Sequence, residues 1–253
     1  MSPIWKSELL SKQSWLVHGT ATLAFGSTRY PNPGEEDATA DNRGDFLRAL
    51  GVDPSRLVVA GNVHGNNVEI VSPSHVSPPH REERSGVVVL RINDCDGLVT
   101  SSPSITIATK TADCLPIYIA DPTTRTVAIV HAGWKGVMAG IAIEAVRAMT
   151  LNHQPRGLVA AIGPSIGACH YTIHDERRYE MLTKTPFALP DDFYDGRVDL
   201  RAIAVRQLVA SGIEATNVDS TAPCTACHPD VFASYHLSRD LSVGMLSAIG
   251  IVR

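Results

Sequence analysis

Cys114-Leu-Pro-Ile-Tyr-Ile-Ala120 and Arg125-Thr-Val-Ala-Ile-Val-His131 are short apolar, β-branched runs separated by the turn-forming cluster Asp121-Pro-Thr-Thr124. That pattern commits the stretch to an antiparallel hairpin. If Ala120 faces Arg125, then Cys114 faces His131 on one side of the ribbon, with Cβ atoms roughly 5 Å apart. A one-residue slip would spoil the pairing, so the inference rests on register. A thiolate and an imidazole at that separation can share a metal ion or act as nucleophile and base. A buried cysteine beside a structural histidine is the plain alternative.

Elsewhere, hydrophobic period and turn residues place the elements. Trp15 to Thr28 reads as a pair of strands, Tyr30 to Gly34 as a loop, and Asp37 to Leu50 as a helix stopped by Gly51. Leu57–Ala60 and Val68–Val71 are strands flanking the Val63-His-Gly65 corner, and the proline-rich stretch from Ser72 to Ser85 is a mobile surface loop holding His75 and His80. Strands follow at Val87–Ile92, Gly97–Thr100 and Ile105–Lys110, and after the hairpin one helix runs from Gly133 to Met149. Leu158–Ile162 is a buried strand, Asp175–Lys184 and Asp199–Ser211 are helices, and the last forty or so residues read as irregular. Antiparallel pairing and an excess of strands give an α+β class, and no linker divides residues 1–253, so one domain is expected.

The apolar fraction of 44% and charged fraction of 19% are those of a globular chain of 253 residues. A net charge of −4 gives no electrostatic reason to expect nucleic acid or an anionic membrane as partner. The opening Met-Ser-Pro-Ile-Trp-Lys-Ser-Glu has no basic-then-apolar signal pattern, and no apolar run nears the ~18 residues of a membrane span. Five scattered cysteines argue against a disulfide framework. A cytoplasmic protein with reduced thiols is expected.

His131-Ala-Gly-Trp-Lys-Gly136 passes from a strand end into a helix. Free backbone N–H groups there, with Gly133 and Lys135, suit a phosphate pocket; a plain strand-to-helix turn is the alternative. It is not a Walker loop. Asp94-Cys-Asp-Gly97 reads as a tight turn that Asp96 orients, and Asp113, beside Cys114, would point to the opposite strand face unless the backbone is distorted. Cys224-Thr-Ala-Cys-His228 spells the c-type haem signature, but no export signal accompanies it. A zinc knuckle would need a second ligand pair at suitable spacing, and the sequence offers none, which favours a structural or pocket-wall role over a second metal site.

Taken together, Asp-x-Asp-Gly-Leu-Val-Thr100, Thr-Ala-Asp-Cys-Leu-Pro116 and His-Ala-Gly-Trp-Lys-Gly136 resemble the laccase-domain family, first labelled polyphenol oxidases and now described as zinc-dependent purine nucleoside phosphorylases. Val63-His-Gly65, Gly163-Pro-Ser-Ile166, Asp199-Leu200, Cys224-Thr225, Ser234-Tyr235, Phe-Gly-Ser-Thr-Arg29 and Asn42-Arg43 extend the resemblance over nearly the whole chain. It implies a layered α-β-β-α fold and one zinc held by His64, Cys114 and His131, with a fourth position left for water or substrate. It also implies phosphorolysis of adenosine, inosine or guanosine to base and ribose 1-phosphate, with adenosine deamination as a second activity. Arg29, Lys135 and Gly133 are the phosphate candidates. Asn62 stands where the family usually has glutamine, and Ser-Tyr-His-Leu-Ser-Arg-Asp240 replaces a Ser-Tyr-Arg-Arg-Asp-Gly run, the latter change expected to touch substrate preference more than metal binding.

Three rivals follow from the same residues. Cys114 and His131 could serve a metal-free hydrolase of amides such as cell-wall precursors. A copper polyphenol oxidase would need clustered histidines, and no His-x-His occurs. A zinc that only holds the fold would make chelation unfold the protein.

Overall fold

The computed structural model describes residues 2–28, 36–76, 82–84, 87–151 and 153–252. Two mixed sheets lie face to face. The seven-stranded sheet runs Ile4–Trp5, Leu16–Ala21, Met245–Ile251, Thr106–Thr111, Leu57–Ala60, Val87–Ile92, Glu82–Arg84 in spatial order. The six-stranded sheet runs Val218–Asp219, Val159–Ile162, Leu115–Asp121, Thr126–Ala132, Gly97–Thr100, Val68–Ile70.

Alternation along each strand explains the layering. In Leu115–Asp121, Leu115, Ile117 and Ile119 turn outward to helices, while Tyr118 and Ala120 turn inward to the other sheet. Thr126–Ala132 does the same, with Ala128, Val130 and Ala132 outward and Val127 and Ile129 inward. Helices Trp134–Met138, Ile141–Met149 and Leu200–Ala210 cover the outward face through Val137, Ile141, Ala145, Ile203 and Leu208. On the far side, Phe46, Leu47 and Leu50 of helix Glu36–Leu50 cover Leu57, Val59, Ala108 and Leu246 of the seven-stranded sheet. The order is therefore helix, sheet, sheet, helix, as the resemblance implied. A chain of hydroxyls crosses the inter-sheet core: the Tyr118 hydroxyl lies 2.7 Å from Thr20 Oγ1, which lies 2.9 Å from Ser247 Oγ. No helix among the described residues is long and apolar enough to cross a membrane.

Several local expectations need correcting. In the hairpin Ala120 pairs with Val127 and His131 with Pro116, two residues away from the predicted register. The cause is a four-residue turn displaced by one position, Pro122 to Arg125 in place of Asp121 to Thr124. Asp121 and Thr126 pair, Asp121 accepts bonds from Thr123 N and Thr124 Oγ1 at 2.8 Å each, and Arg125 takes a left-handed φ of 51°. A two-residue shift preserves the face, so Cys114, just ahead of its strand, stays on the side of His131 but diagonal to it. The Gly133–Met149 helix is two helices, broken where Gly140 takes φ 79°. Trp15–Thr28 holds one strand, Leu16–Ala21, and a 3₁₀ turn, Leu23–Phe25. The Ser72–Ser85 stretch carries a short helix, Pro73–Val76, and an edge strand, Glu82–Arg84, where a surface loop was expected. Its His80 lies outside the described residues, as do Arg29 and the 30–34 loop. The C-terminal stretch read as irregular contains Met245–Ile251, which pairs with Leu16–Ala21 on one side and Thr106–Thr111 on the other.

Candidate metal centre

The Val63-His-Gly65 corner packs against Asp96 at the open end of the two sheets. Asn62 and His64 have φ of 62° and 65°, and this left-handed run turns two consecutive amides toward one carboxylate. His64 N donates to Asp96 Oδ1 at 2.9 Å and Gly65 N to Oδ2 at 2.7 Å. Asp96 Oδ1 also meets His131 Nδ1 at 2.8 Å, which leaves Nε2 of His131 for the other side. On that side lie His64 and Cys114. The ligand atoms of His64, Cys114 and His131 all fall within 4.8 Å of one another, and the two imidazoles cross nearly edge to face at 85°.

Asp96 is fully buried, which by itself raises a carboxyl pKa, but the bonds from His131, Gly65 and His64 outweigh burial and hold it below the usual range. Burial likewise pushes the Cys114 thiol up. The attraction of His131, with hydrogen bonds from His131 and His64, overcomes this and brings it to about 6. Burial pulls His131 down, and the Cys114 thiolate and the Asp96 carboxylate outweigh it, raising His131 to about 9. The donor set is thus one readily ionised thiol and two imidazoles, one of them oriented by a carboxylate. That chemistry fits a zinc ion with an open fourth position.

The glycines of His131-Ala-Gly-Trp-Lys-Gly136 have a steric meaning. A Cβ on Gly133 would sit 3.0 Å from His64 Cδ2 and 3.2 Å from Cys114 Sγ, and one on Gly136 would sit 2.8 Å from Gly65 O. Both let the helix start close on the His64 corner. Lys135 is exposed, with its ammonium 5.7 Å from the Trp134 ring centroid, and it lines neither cavity described next.

Two cavities meet at His64, Ala112, Cys114 and Tyr235. The smaller, about 420 Å³, is walled by Asn62, Arg91, Lys110 and Leu241. The larger, about 530 Å³, is walled by Gly133, Trp134, Tyr171, His174, Arg177 and Arg239. The Arg177 guanidinium lies 4.6 Å from the Trp134 ring centroid. Tyr235, His236 and Arg239, from the run where this chain departs from the family it resembles, are in the larger wall.

Asp113 supplies the distortion that an extended strand would not. At φ 84° its side chain leaves the strand, and its Oδ1 accepts from Thr225 Oγ1 at 2.6 Å and its Oδ2 from His236 N at 2.5 Å. Thr225 lies inside Cys224-Thr-Ala-Cys227, and here a further expectation fails. The missing ligand pair exists as Cys169-His170, and Cys169, His170, Cys224 and Cys227 bring four donor atoms within 4.8 Å of one another, a second group able to hold a metal ion. Sequence reading also missed Asp96 as the carboxylate behind His131, and Arg91, Lys110, Tyr171 and Arg177 as cavity walls. Asp96 alone had a local signal, its place between Cys95 and Gly97 in a motif.

The helix–sheet–sheet–helix fold and this site define a class. Residues 26–252 match the family described as multi-copper polyphenol oxidoreductase laccase, and the chain belongs to that family. Among its relatives, a purine nucleoside phosphorylase of Streptomyces coelicolor is 30% identical over 226 residues, spanning 89% of this chain and 86% of that protein. The purine nucleoside phosphorylase YlmD of Geobacillus stearothermophilus is 31% identical over 218 residues, 83% of this chain and 77% of its own length. The crystal structure of YlmD superposes with a TM-score of 0.78 over 98% of this chain and 94% of that one, at 27% identity. YfiH of Bacillus licheniformis shares the fold over the full length of both chains, with a TM-score of 0.80 at 24% identity.

Proposed function

We propose that this chain is a zinc-dependent purine nucleoside phosphorylase in which His64, Cys114 and His131 are the protein ligands. The observation that carries the reading is the convergence of two imidazoles and an ionisable thiol where an aromatic cavity and a cationic cavity meet. The relatives' names supply the class, purine nucleoside phosphorylase, and the reaction in this reading is adenosine, inosine or guanosine plus phosphate to free base and ribose 1-phosphate.

In this reading Trp134, Tyr171 and Tyr235 flank the purine, since flat rings bury well against aromatic faces. Arg91 and Lys110 hold phosphate beside the ribose, so the C1′–N9 bond breaks as a phosphate oxygen bonds C1′. Gly133 makes room for the ligand cluster, and Arg29 remains a candidate for the phosphate from its motif. Asp96 keeps the His131 Nδ1 engaged, so that ring presents Nε2. When bound, a zinc ion supplies an electrophile with one open position for a substrate oxygen. In this reading phosphorolysis is the main activity: zinc deaminases rely on a non-ligand Glu, and among the described residues neither cavity is walled by one.

The test is metal content of the purified protein, with each nucleoside incubated with phosphate and followed by chromatography. Zinc together with free base and ribose 1-phosphate is the expected result, with nucleoside turnover and the zinc of this three-ligand group lost in Cys114→Ser. Inosine formed from adenosine without phosphate would shift the reading to deamination, and a metal-free protein that turns over no nucleoside would end it. A second reading draws on the Cys114–His131–Asp96 alignment, which also suits a metal-free Cys-His hydrolase. Amide cleavage that survives exhaustive chelation and is abolished by thiol alkylation would favour it. The copper oxidase reading draws no support from the donor sets, since each of the two His/Cys groups among the described residues has at most two imidazoles.

A further inference from the structure

We propose that Cys169, His170, Cys224 and Cys227 form a second zinc site, closed and structural, that fixes one wall of the larger cavity. Four donors of the two kinds zinc prefers come together from distant parts of the chain. The turn after strand Val159–Ile162 brings Cys169 and His170, and the turn after strand Val218–Asp219 brings Cys224 and Cys227.

The spacings match a coordination shell. With zinc–sulfur bonds of about 2.3 Å and a zinc–nitrogen bond of about 2.0 Å, a tetrahedron has edges of about 3.8 Å between sulfurs and about 3.5 Å between sulfur and nitrogen. Cys169 and Cys227 Sγ lie 3.4 Å apart, and His170 Nδ1 lies 3.3, 3.9 and 3.5 Å from the sulfurs of Cys169, Cys224 and Cys227. A disulfide between Cys169 and Cys227 would use two of these donors and leave the convergence of His170 and Cys224 without a purpose.

The surroundings are built for the cluster. Gly167 N donates to Cys224 Sγ at 3.1 Å, the kind of amide bond that steadies a thiolate ligand. A Cβ on Gly167 would meet Cys224 Cβ at 3.2 Å and Cys169 Sγ at 3.3 Å, so the position has no room for a side chain. Arg201 ties the two turns together from behind, bonding Ser165 O at 2.6 Å and Pro223 O at 2.8 Å, and Thr225 N donates to Ser165 O at 3.0 Å. Four protein ligands leave no open position, which makes the site structural rather than catalytic.

Its location gives it consequence. Tyr171 follows His170 directly and lines the larger cavity. Thr225, between the two cysteines of the other turn, holds Asp113 beside Cys114, and Ile166 N donates to Asp113 O at 2.9 Å. Zinc here would pin both turns and, through them, the wall of the cavity.

The experiment is zinc content of the full chain purified under reducing conditions, for wild type, Cys227→Ser and Cys114→Ser. About two zinc ions per wild-type chain, and about one in each variant, is the expected result. About one ion in the wild type, lost in Cys114→Ser and kept in Cys227→Ser, would overturn the proposal. So would a Cys169–Cys227 disulfide found by mass spectrometry of protein quenched with an alkylating agent. Should Cys227→Ser fail to fold, alkylation of the wild type decides. The exposed Cys169 and Cys227 should react at least about tenfold faster after a strong chelator is added, because a zinc-bound thiolate is shielded. Equal rates with and without chelator would overturn the proposal.

Discussion

Asp96 does for the His64 corner and for His131 what no neighbouring residue can: a single carboxylate satisfies three donors and orients one imidazole. Asp96→Asn replaces one acceptor oxygen with a donor that faces an N–H. Metal affinity at the His64–Cys114–His131 group is expected to fall about 10–100-fold, measured by competition with a chromophoric chelator. Unchanged affinity would reduce Asp96 to a turn residue. Gly133 gives a complementary test. In Gly133→Ala the new methyl reaches His64 Cδ2 at 3.0 Å and Cys114 Sγ at 3.2 Å, so the donors must spread. Weaker metal binding with unchanged far-UV circular dichroism is expected; wild-type binding would mean the corner yields freely.

At the scale of elements, strand Leu16–Ala21 carries a buried titratable group away from the site. His18 is 2% exposed, stands edge-on to Tyr118, and accepts from Ser7 N through Nε2 at 2.9 Å. Burial, aided by Lys6, lowers its pKa to about 4. Because the folded value lies below the unfolded one of about 6.5, the unfolded chain binds more protons between them. The stability from neutral His18 is therefore full above pH 6.5 and is lost as pH falls toward 4, about 3 kcal/mol in all. Denaturant titrations of wild type and His18→Gln across that window should show a shallower acid slope in the variant. Parallel slopes would mean that His18 remains neutral without cost.

For the whole molecule, the two ligand groups predict two different responses to metal removal. Chelation at the three-ligand group should abolish nucleoside turnover while leaving the chain folded, since Asp96 and the packed corner hold the ligands without a metal. Chelation of Cys114→Ser, which retains only the four-ligand group, should lower Tm by several degrees, because metal bound only by the folded state contributes its binding free energy to folding. A Tm in that variant indifferent to chelator would leave the Cys169–Cys227 turns held by Arg201 and the backbone alone.

The hairpin, its two-faced alternation, helices Glu36–Leu50, Asp175–Lys184 and Leu200–Ala210, and the Cys114–His131 pair were legible because period, turn residues and hairpin spacing are local, whereas His64 joined the pair only through the resemblance. The register slip escaped because the bonds to Asp121 and the φ of Arg125 move the turn one residue along the chain, which composition does not reveal. Met245–Ile251 escaped because its small residues, Ser247, Ala248 and Gly250, become a strand only between Leu16–Ala21 and Thr106–Thr111. Cys169-His170 lies more than fifty residues from Cys224-Thr-Ala-Cys227, and only the stacking of their parent strands in one sheet brings the pairs together. Local chemistry determined which side chains could act; chain topology decided which of them meet, because a contact between distant segments is a property of packing and not of sequence spacing.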